Sequence, residues 1–425
     1  MRSEMFEPFY SSPNDTIFTI RNVQAKFGEG VSSEVGYEAR RLGIKKALIV
    51  TDKNINENTK IPSKIKEYLE EAGVKAEIFD GTHIEPIDTE VIKAIEFAKG
   101  KDYDGFIAVG GGSSIDTAKM INLYVTYPTP DFKDYIAPPT GGGKPVPGPL
   151  KPLICIPTTA GTGSENTPVA IVDLVKEKLK VGISHPYLLP SFALLDPVLT
   201  ISLPPYYTAS TGIDALMHCI ECYTAIPYYA RPRPASPDKR PVYIGSNPVS
   251  DIFVEKAIEL IGKYLRKAYY NPYDIEARRN MLLAAHLGGA FGNAGVHISH
   301  ALAYPIAGRR HDLPHGITVA ITGPAMLEFL EPIVPERLAR IAQLLGEKIE
   351  GLKIREAAAL AKEALIKLMK DLNLPSGISE FGFEEKDIRE LSEGAILQQR
   401  LLAVSPRPVT INDISEIYKK SLHNW

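Results

Sequence analysis

Four short apolar runs constrain the fold of this chain more than anything else: Lys46-Ala47-Leu48-Ile49-Val50-Thr51, Gly105-Phe106-Ile107-Ala108-Val109, Leu153-Ile154-Cys155-Ile156, and Phe192 to Asp196. Each is too short for a helical core. Each is also apolar at consecutive positions, so neither side faces water. That is the pattern of strands buried on both faces, as in parallel sheets covered by helices. Helical spacing appears at 31–42, 65–72 and 89–99, with a further strand at 76–80. Alternation of this kind predicts an α/β fold around a parallel sheet. Residues 17–30 read as an opening strand and turn, and Val169–Asp173 with Leu179–Ser184 as a β-hairpin.

After Leu203-Pro204-Pro205 the pattern changes to helices, at 206–224, 248–270, 275–304, 316–330, 335–347, 354–372 and 385–396. The expected organisation is an α/β domain over 1–203 and an all-helical domain over 204–425. Two Pro- and Gly-rich stretches, 126–152 and 226–243, read as long loops.

The strand at 105–109 runs into Gly110-Gly111-Gly112-Ser113-Ser114-Ile115-Asp116. Glycines let backbone N–H groups approach a phosphate, and a helix N-terminus favours its charge. The spacing is not the usual three-glycine dinucleotide fingerprint, and a tight strand-to-helix turn would look the same. The strand at 153–156 leads to a second loop of this type, Pro157-Thr158-Thr159-Ala160-Gly161-Thr162-Gly163-Ser164-Glu165. Its hydroxyls and amides suit a pyrophosphate or ribose. Two such loops after two strands predict a nucleotide site that includes Gly111, Gly112, Ser113 and Asp116.

Four of the nine histidines lie between 297 and 315, namely His297, His300, His311 and His315. Upstream, Asp214 and His218 are four apart, hence on one face of a helix. Imidazoles and a carboxylate suit iron(II) or zinc. Cys219-Ile220-Glu221-Cys222 is a C-x-x-C in mid-helix, where packing is the better reading than redox chemistry.

Net charge is −3 with no basic tract, which argues against nucleic acid, and no apolar run approaches a membrane span. Three cysteines make no disulfide framework, and Met1-Arg2-Ser3-Glu4-Met5-Phe6-Glu7-Pro8 lacks signal and transit patterns. The expectation is a cytoplasmic protein.

In order, Gly110–Asp116, Pro157–Glu165, Asp214-Ala215-Leu216-Met217-His218 and Pro314-His315-Gly316 resemble the iron-containing (group III) alcohol dehydrogenases. Gly245-Ser246-Asn247-Pro248-Val249-Ser250-Asp251-Ile252 and Phe291-Gly292-Asn293-Ala294-Gly295-Val296-His297 are most similar to the family's hydroxyacid-oxoacid transhydrogenase branch. The resemblance implies a Rossmann-like NAD domain and a helical domain, as in dehydroquinate synthase, with the active site between them. It implies Asp214, His218, His300 and His315 as metal ligands. It implies Asp52 at the adenosine ribose, Gly112 and Ser113 at the pyrophosphate, and Thr158, Thr159, Thr162, Thr167 and Lys180 as further NAD contacts.

Many members carry a second histidine four residues after the third ligand. Here that place is Tyr304, shared with the transhydrogenase branch, and its hydroxyl is either a proton relay or a packed aromatic. His297 reads as neighbouring a ligand or facing substrate. The implied chemistry is hydride transfer through NAD from a hydroxy acid or alcohol, 4-hydroxybutyrate above all, to an oxo acid such as 2-oxoglutarate. An NAD-dependent alcohol dehydrogenase is the alternative, and a dehydroquinate-synthase-like lyase a more distant one. An acid substrate needs a cation. Arg231, Arg233 and Arg240 in the loop 226–243, and Arg309 and Arg310 between two implied ligands, are the candidates. Most of them read as solvated loop charge, with one of Arg309 or Arg310 as the hypothesis for the anchor. The helical domain leaves room for a homodimer.

Overall fold

The computed structural model describes residues 12–177 and 179–425. The segment Met1–Pro8 lies outside them. Apart from the two-residue strand Asn14–Asp15, the strands of the first half are β1 (Ala25–Phe27), β2 (Lys46–Asp52), β3 (Lys75–Thr82), β4 (Gly105–Gly110), β5 (Leu153–Pro157), the hairpin β6 (Val169–Leu174) and β7 (Leu179–Ser184), and β8 (Phe192–Leu195). Six of them form one parallel sheet in the order β1-β8-β5-β4-β2-β3.

Alternate residues of the central strands enter different cores. Ile49, Ile107, Ile154 and Phe192 pack on one face; Leu48, Phe106 and Cys155 pack on the other. This explains the unbroken apolar runs, because a strand with helices on both sides has no wet parity.

The sheet order also fixes where a ligand goes. β2 pairs with β3 on one side and β4 on the other, so successive crossovers diverge between β2 and β4. In open α/β sheets the ligand crevice lies at the carboxyl ends of the strands beside such a divergence. Asp52 ends β2 and caps helix α1 (Lys53–Thr59), its Oδ1 accepting from Ile55 N at 3.0 Å. Gly110 ends β4, and helix α2 (Gly112–Thr126) starts two residues later.

The second half is helical, around one large apolar core. Helices α3 (Pro205–Thr224), α4 (Ile298–Arg309), α5 (His315–Ala320) and α6 (Gln399–Leu402) matter for the site. The single helix expected over 275–304 is three pieces: Ile275–Gly288, Phe291–Ala294 and α4. The break is at Gly295, whose φ of +104° no helix accepts and where a Cβ would meet Val404 and Tyr243 at 2.9–3.0 Å. The stretch 316–330 likewise divides, into α5 and Gly323–Leu330. No helix among the described residues is long and apolar enough to cross a membrane.

Candidate active site

Three helices converge on one set of side chains. α3 carries Asp214 and His218 one turn apart, and α4 brings His300 against them, all three buried. One ligand-type atom from each lies within 4.8 Å of the others. His218 Nδ1 is 3.8 Å from Asp214 Oδ2, and His300 Nε2 is 4.0 Å from Asp214 Oδ1. His315, the first residue of α5, falls outside this tight trio, but its ring centroid is 5.6 Å from that of His300. α5 comes this close because residue 316 is glycine. A Cβ there would lie 1.9 Å from Ser210 O and 2.8 Å from Asp214 Cβ.

Asp214 Oδ1, His218 Nδ1, His300 Nε2 and His315 Nδ1 are buried and have no hydrogen-bond partner. Each orphaned polar atom costs about 1–3 kcal/mol. Four of them converging, one oxygen and three imidazole nitrogens, fit a divalent cation. Burial holds all three imidazoles neutral: His218 and His315 well below the usual histidine range, and His300 at about 3, where the charges of Arg400 and Lys180 add to burial. Neutral imidazole is the ligating form. Burial, then the charge of Glu85, pushes the Asp214 carboxyl well up, a direction that a cation beside it reverses.

Glu221, one turn beyond His218, escaped the sequence reading. Its side chain is wholly buried. Oε1 accepts from the backbone N–H of Ser299 at 2.7 Å and of His297 at 3.2 Å, and Oε2 is hydrogen-bonded to His300 Nδ1. One carboxylate thus caps α4 from a neighbouring helix and turns His300 Nε2 toward Asp214. The available signal was spacing: 214, 218 and 221 share a helix face. His297 contacts Glu221 and Thr224, its Nε2 3.0 Å from the Thr224 hydroxyl. It neighbours a candidate ligand and does not line the cavity.

The trio opens onto a cleft that reaches the N-terminus of α2. Of the expected cofactor residues, Gly112, Ser113, Asp116, Thr162, Thr167 and Lys180 line it. Gly111 is the N-cap of α2 and provides no side-chain cap, so that terminus stays open to an anion. A Cβ on Gly112 would meet Thr162 at 2.7 Å, which joins the two small-residue loops. Thr159 lies beside Gly111, and Thr158 N donates to Gly110 O at 3.0 Å.

Two of these residues also hold the fold. Asp116 accepts from the Ser164 hydroxyl and from Ile171 N, and Thr167 accepts from the buried Lys119 ammonium, which also reaches Ser164 and Val169. Lys180 pairs with Glu85. Burial opposes its charge, but Glu85 and Asp173 outweigh burial and hold the amine above the usual lysine range.

The arginines expected to read an acid are committed elsewhere. Arg309 pairs with Asp387 and Glu390. Arg310 pairs with Asp312 at 2.8 Å and donates to Phe381 O. Arg309 ends α4 and reaches acids about 80 residues on, whereas Arg310 pairs with an acid two residues away; both pairs lie near the surface. Tyr304, one turn after His300, does line the cleft; burial raises its hydroxyl's pKa, so it stays protonated.

The profile for iron-containing alcohol dehydrogenase matches residues 22–197, and that for the C-terminal part of the Fe-containing alcohol dehydrogenase family matches residues 242–422. The chain belongs to the iron-containing alcohol dehydrogenase family. Among relatives of this oxidoreductase, the mitochondrial hydroxyacid-oxoacid transhydrogenase of Bos taurus is 41% identical over 422 residues, 96% of this chain and 90% of the bovine one. That of Caenorhabditis briggsae is 43% identical over 412 residues, 93% and 88% of the respective chains. A solved 1,3-propanediol oxidoreductase superposes with a TM-score of 0.85 at 33% identity, covering 95% of this chain and all of the other. Sulfoacetaldehyde reductase from Bifidobacterium kashiwanohense, solved with NAD+, superposes at 0.80 and 26% identity, covering 96% of this chain and 99% of its own.

These relatives correct the cytoplasmic expectation, since the transhydrogenases are named as mitochondrial. That expectation rested on patterns missing from Met1–Pro8, and a missing pattern is not an address.

Proposed function

We propose that this protein is a metal-dependent, nicotinamide-linked hydroxyacid-oxoacid transhydrogenase, with 4-hydroxybutyrate as donor and 2-oxoglutarate as acceptor. The observation that carries the reading is the convergence of four unpartnered ligand atoms on a cleft that ends at the open N-terminus of α2. Identity near 40% over nearly the whole chain to proteins of that name supports the substrate class.

In this reading Asp214, His218, His300 and His315 hold iron(II) or zinc, a donor set that accepts either. Asp52, Gly111, Gly112, Ser113, Thr158, Thr159 and Thr162 hold NAD, with Asp116, Thr167 and Lys180 shaping its loop. The domain boundary lies at 203/204. When bound, the cation supplies Lewis acidity to a substrate oxygen and the nicotinamide supplies the hydride acceptor. Glu221 fixes the tautomer of His300, so that Nε2 keeps its lone pair. Phe291, stacked on His218 at 4.2 Å, keeps water from that ring. Tyr304 offers a protonated hydroxyl to a substrate oxygen.

The test is turnover without added NAD. Metal-loaded protein is given 4-hydroxybutyrate and 2-oxoglutarate together, and 2-hydroxyglutarate is measured. Product under these conditions means that cofactor is retained and the reading holds. The solved neighbours are named as alcohol dehydrogenases and reductases, which favours one rival. Activity only after addition of NAD and a simple alcohol would make this a conventional dehydrogenase.

A further inference from the structure

We propose that Arg400 on α6 binds the carboxylate of the acid substrate. The inference rests on the functional reading above and identifies what selects an acid over an alcohol.

Arg400 has no carboxylate partner among the described residues, unlike Arg309, Arg310, Arg231 and Arg240. Its Nη1 is buried and has no hydrogen-bond partner. A guanidinium is always charged and presents a planar fork, so an unused buried N–H is a strong acceptor-seeking group. The neighbours of Arg400 are two tyrosines. Its Nη2 is 3.5 Å from the Tyr304 hydroxyl, and its Cζ is 4.9 Å from the centroid of Tyr243. Both tyrosines line the cleft. The niche depends on β7, where a Cβ at Gly182 would come within 3.2 Å of Nη2 and 3.5 Å of Cζ.

The spacing suits a short acid. Tyr304 follows His300 by four residues, about 6 Å along α4. An acid with its carbinol carbon by the candidate ligands and its carboxylate by Arg400 therefore needs only a few methylenes between its ends. Lys180 is the lysine or arginine that lines the cleft itself, and it is already paired with Glu85; Arg400 adjoins the cleft through Tyr304 and Tyr243. The competing role for Arg400 is a prop stacked on Tyr243. A prop gives no preference for charged ligands.

The experiment compares the wild type with Arg400→Met, Arg400→Lys and Gly182→Ala, each loaded with metal and NAD. Butyrate binding is measured by calorimetry. The ratio of kcat/KM for 4-hydroxybutyrate to that for 1-butanol is measured alongside. In Arg400→Met, butyrate affinity and the ratio both fall about thirtyfold, the worth of a hydrogen-bonded charge. Arg400→Lys recovers part of each. Gly182→Ala, which crowds the guanidinium without removing it, lowers both and guards against a misfolded Arg400→Met. Equal butyrate affinity in the wild type and the variants overturns the proposal, even if transhydrogenation is confirmed. Arg400-dependent butyrate binding without hydroxy-acid turnover sustains it and overturns the functional reading instead.

Discussion

Replacing Glu221 with glutamine changes one atom and tests how His300 is held. In the functional reading above, Glu221 Oε2 accepts a hydrogen bond from the His300 Nδ1–H, which leaves Nε2 bare toward Asp214. In Glu221→Gln the carbonyl can keep Ser299 N and His297 N, at 2.7 and 3.2 Å, only if the amide NH2 faces His300 Nδ1. Two donors then meet. His300 relieves the clash by moving its proton to Nε2, the atom needed for ligation, or the amide flips and orphans the cap of α4. Loss of such a carboxylate–imidazole support costs tenfold to a hundredfold in metal affinity, or about 1.4–2.7 kcal/mol. Glu221→Ala strips the cap as well and costs about 3–5 kcal/mol of folding stability. The assay is chelator competition for zinc and iron(II), with thermal unfolding of the apo proteins measured alongside. A Glu221→Gln protein that holds metal as tightly as the wild type would refute the tautomer argument.

Gly316→Ala forces a Cβ to within 1.9 Å of Ser210 O, so α5 must back away from α3; unfolding midpoints should show a loss of about 3 kcal/mol or more, with metal content falling in parallel. The Arg309→Ala, Arg310→Ala double variant should leave the KM for 4-hydroxybutyrate within about twofold, since both side chains serve surface pairs. Removal of metal should lower the melting temperature. Free zinc at 100 times its Kd should restore about 2.7 kcal/mol, and Asp214→Asn should abolish that response.

The sheet was legible because its central strands are buried on both faces. Ile49 and Leu48 enter opposite cores, so their run has no polar parity to confuse it with a surface strand. Asp214, His218, His300 and His315 are singled out by chemistry and family pattern, and the fold groups the first three, with the His315 ring beside that of His300. Other features were hidden for physical reasons. The break at Gly295 lay inside a convincing helical period, and helical spacing does not reveal a positive φ. Glu221 looked like part of a packing motif because nothing local names a carboxylate's partner 79 residues away. Arg400 sits on a four-residue helix with no motif, and only tertiary packing places its charge beside Tyr304. The arginines nearest in sequence to His315 attract the prediction, but Arg310 is neutralised by Asp312 two residues on, and Arg309 by Asp387 and Glu390, which only the fold brings near.

All four candidate ligands belong to helices of the second half, whereas the glycine turn, Thr162 and Lys180 belong to the first. The cleft separates these two sets. Widening it by a hinge near residue 203 would move the turn away and leave the distances among Asp214, His218, His300 and His315 as they are. In the functional reading proposed above, nucleotide exchange and ion exchange would then be mechanically independent, the first governed by how often the halves part and the second by how often α3, α4 and α5 separate within one packed core. A member of this fold can become a carrier that recycles its own hydride by stiffening the seam alone, with no change to the residues that grip the ion.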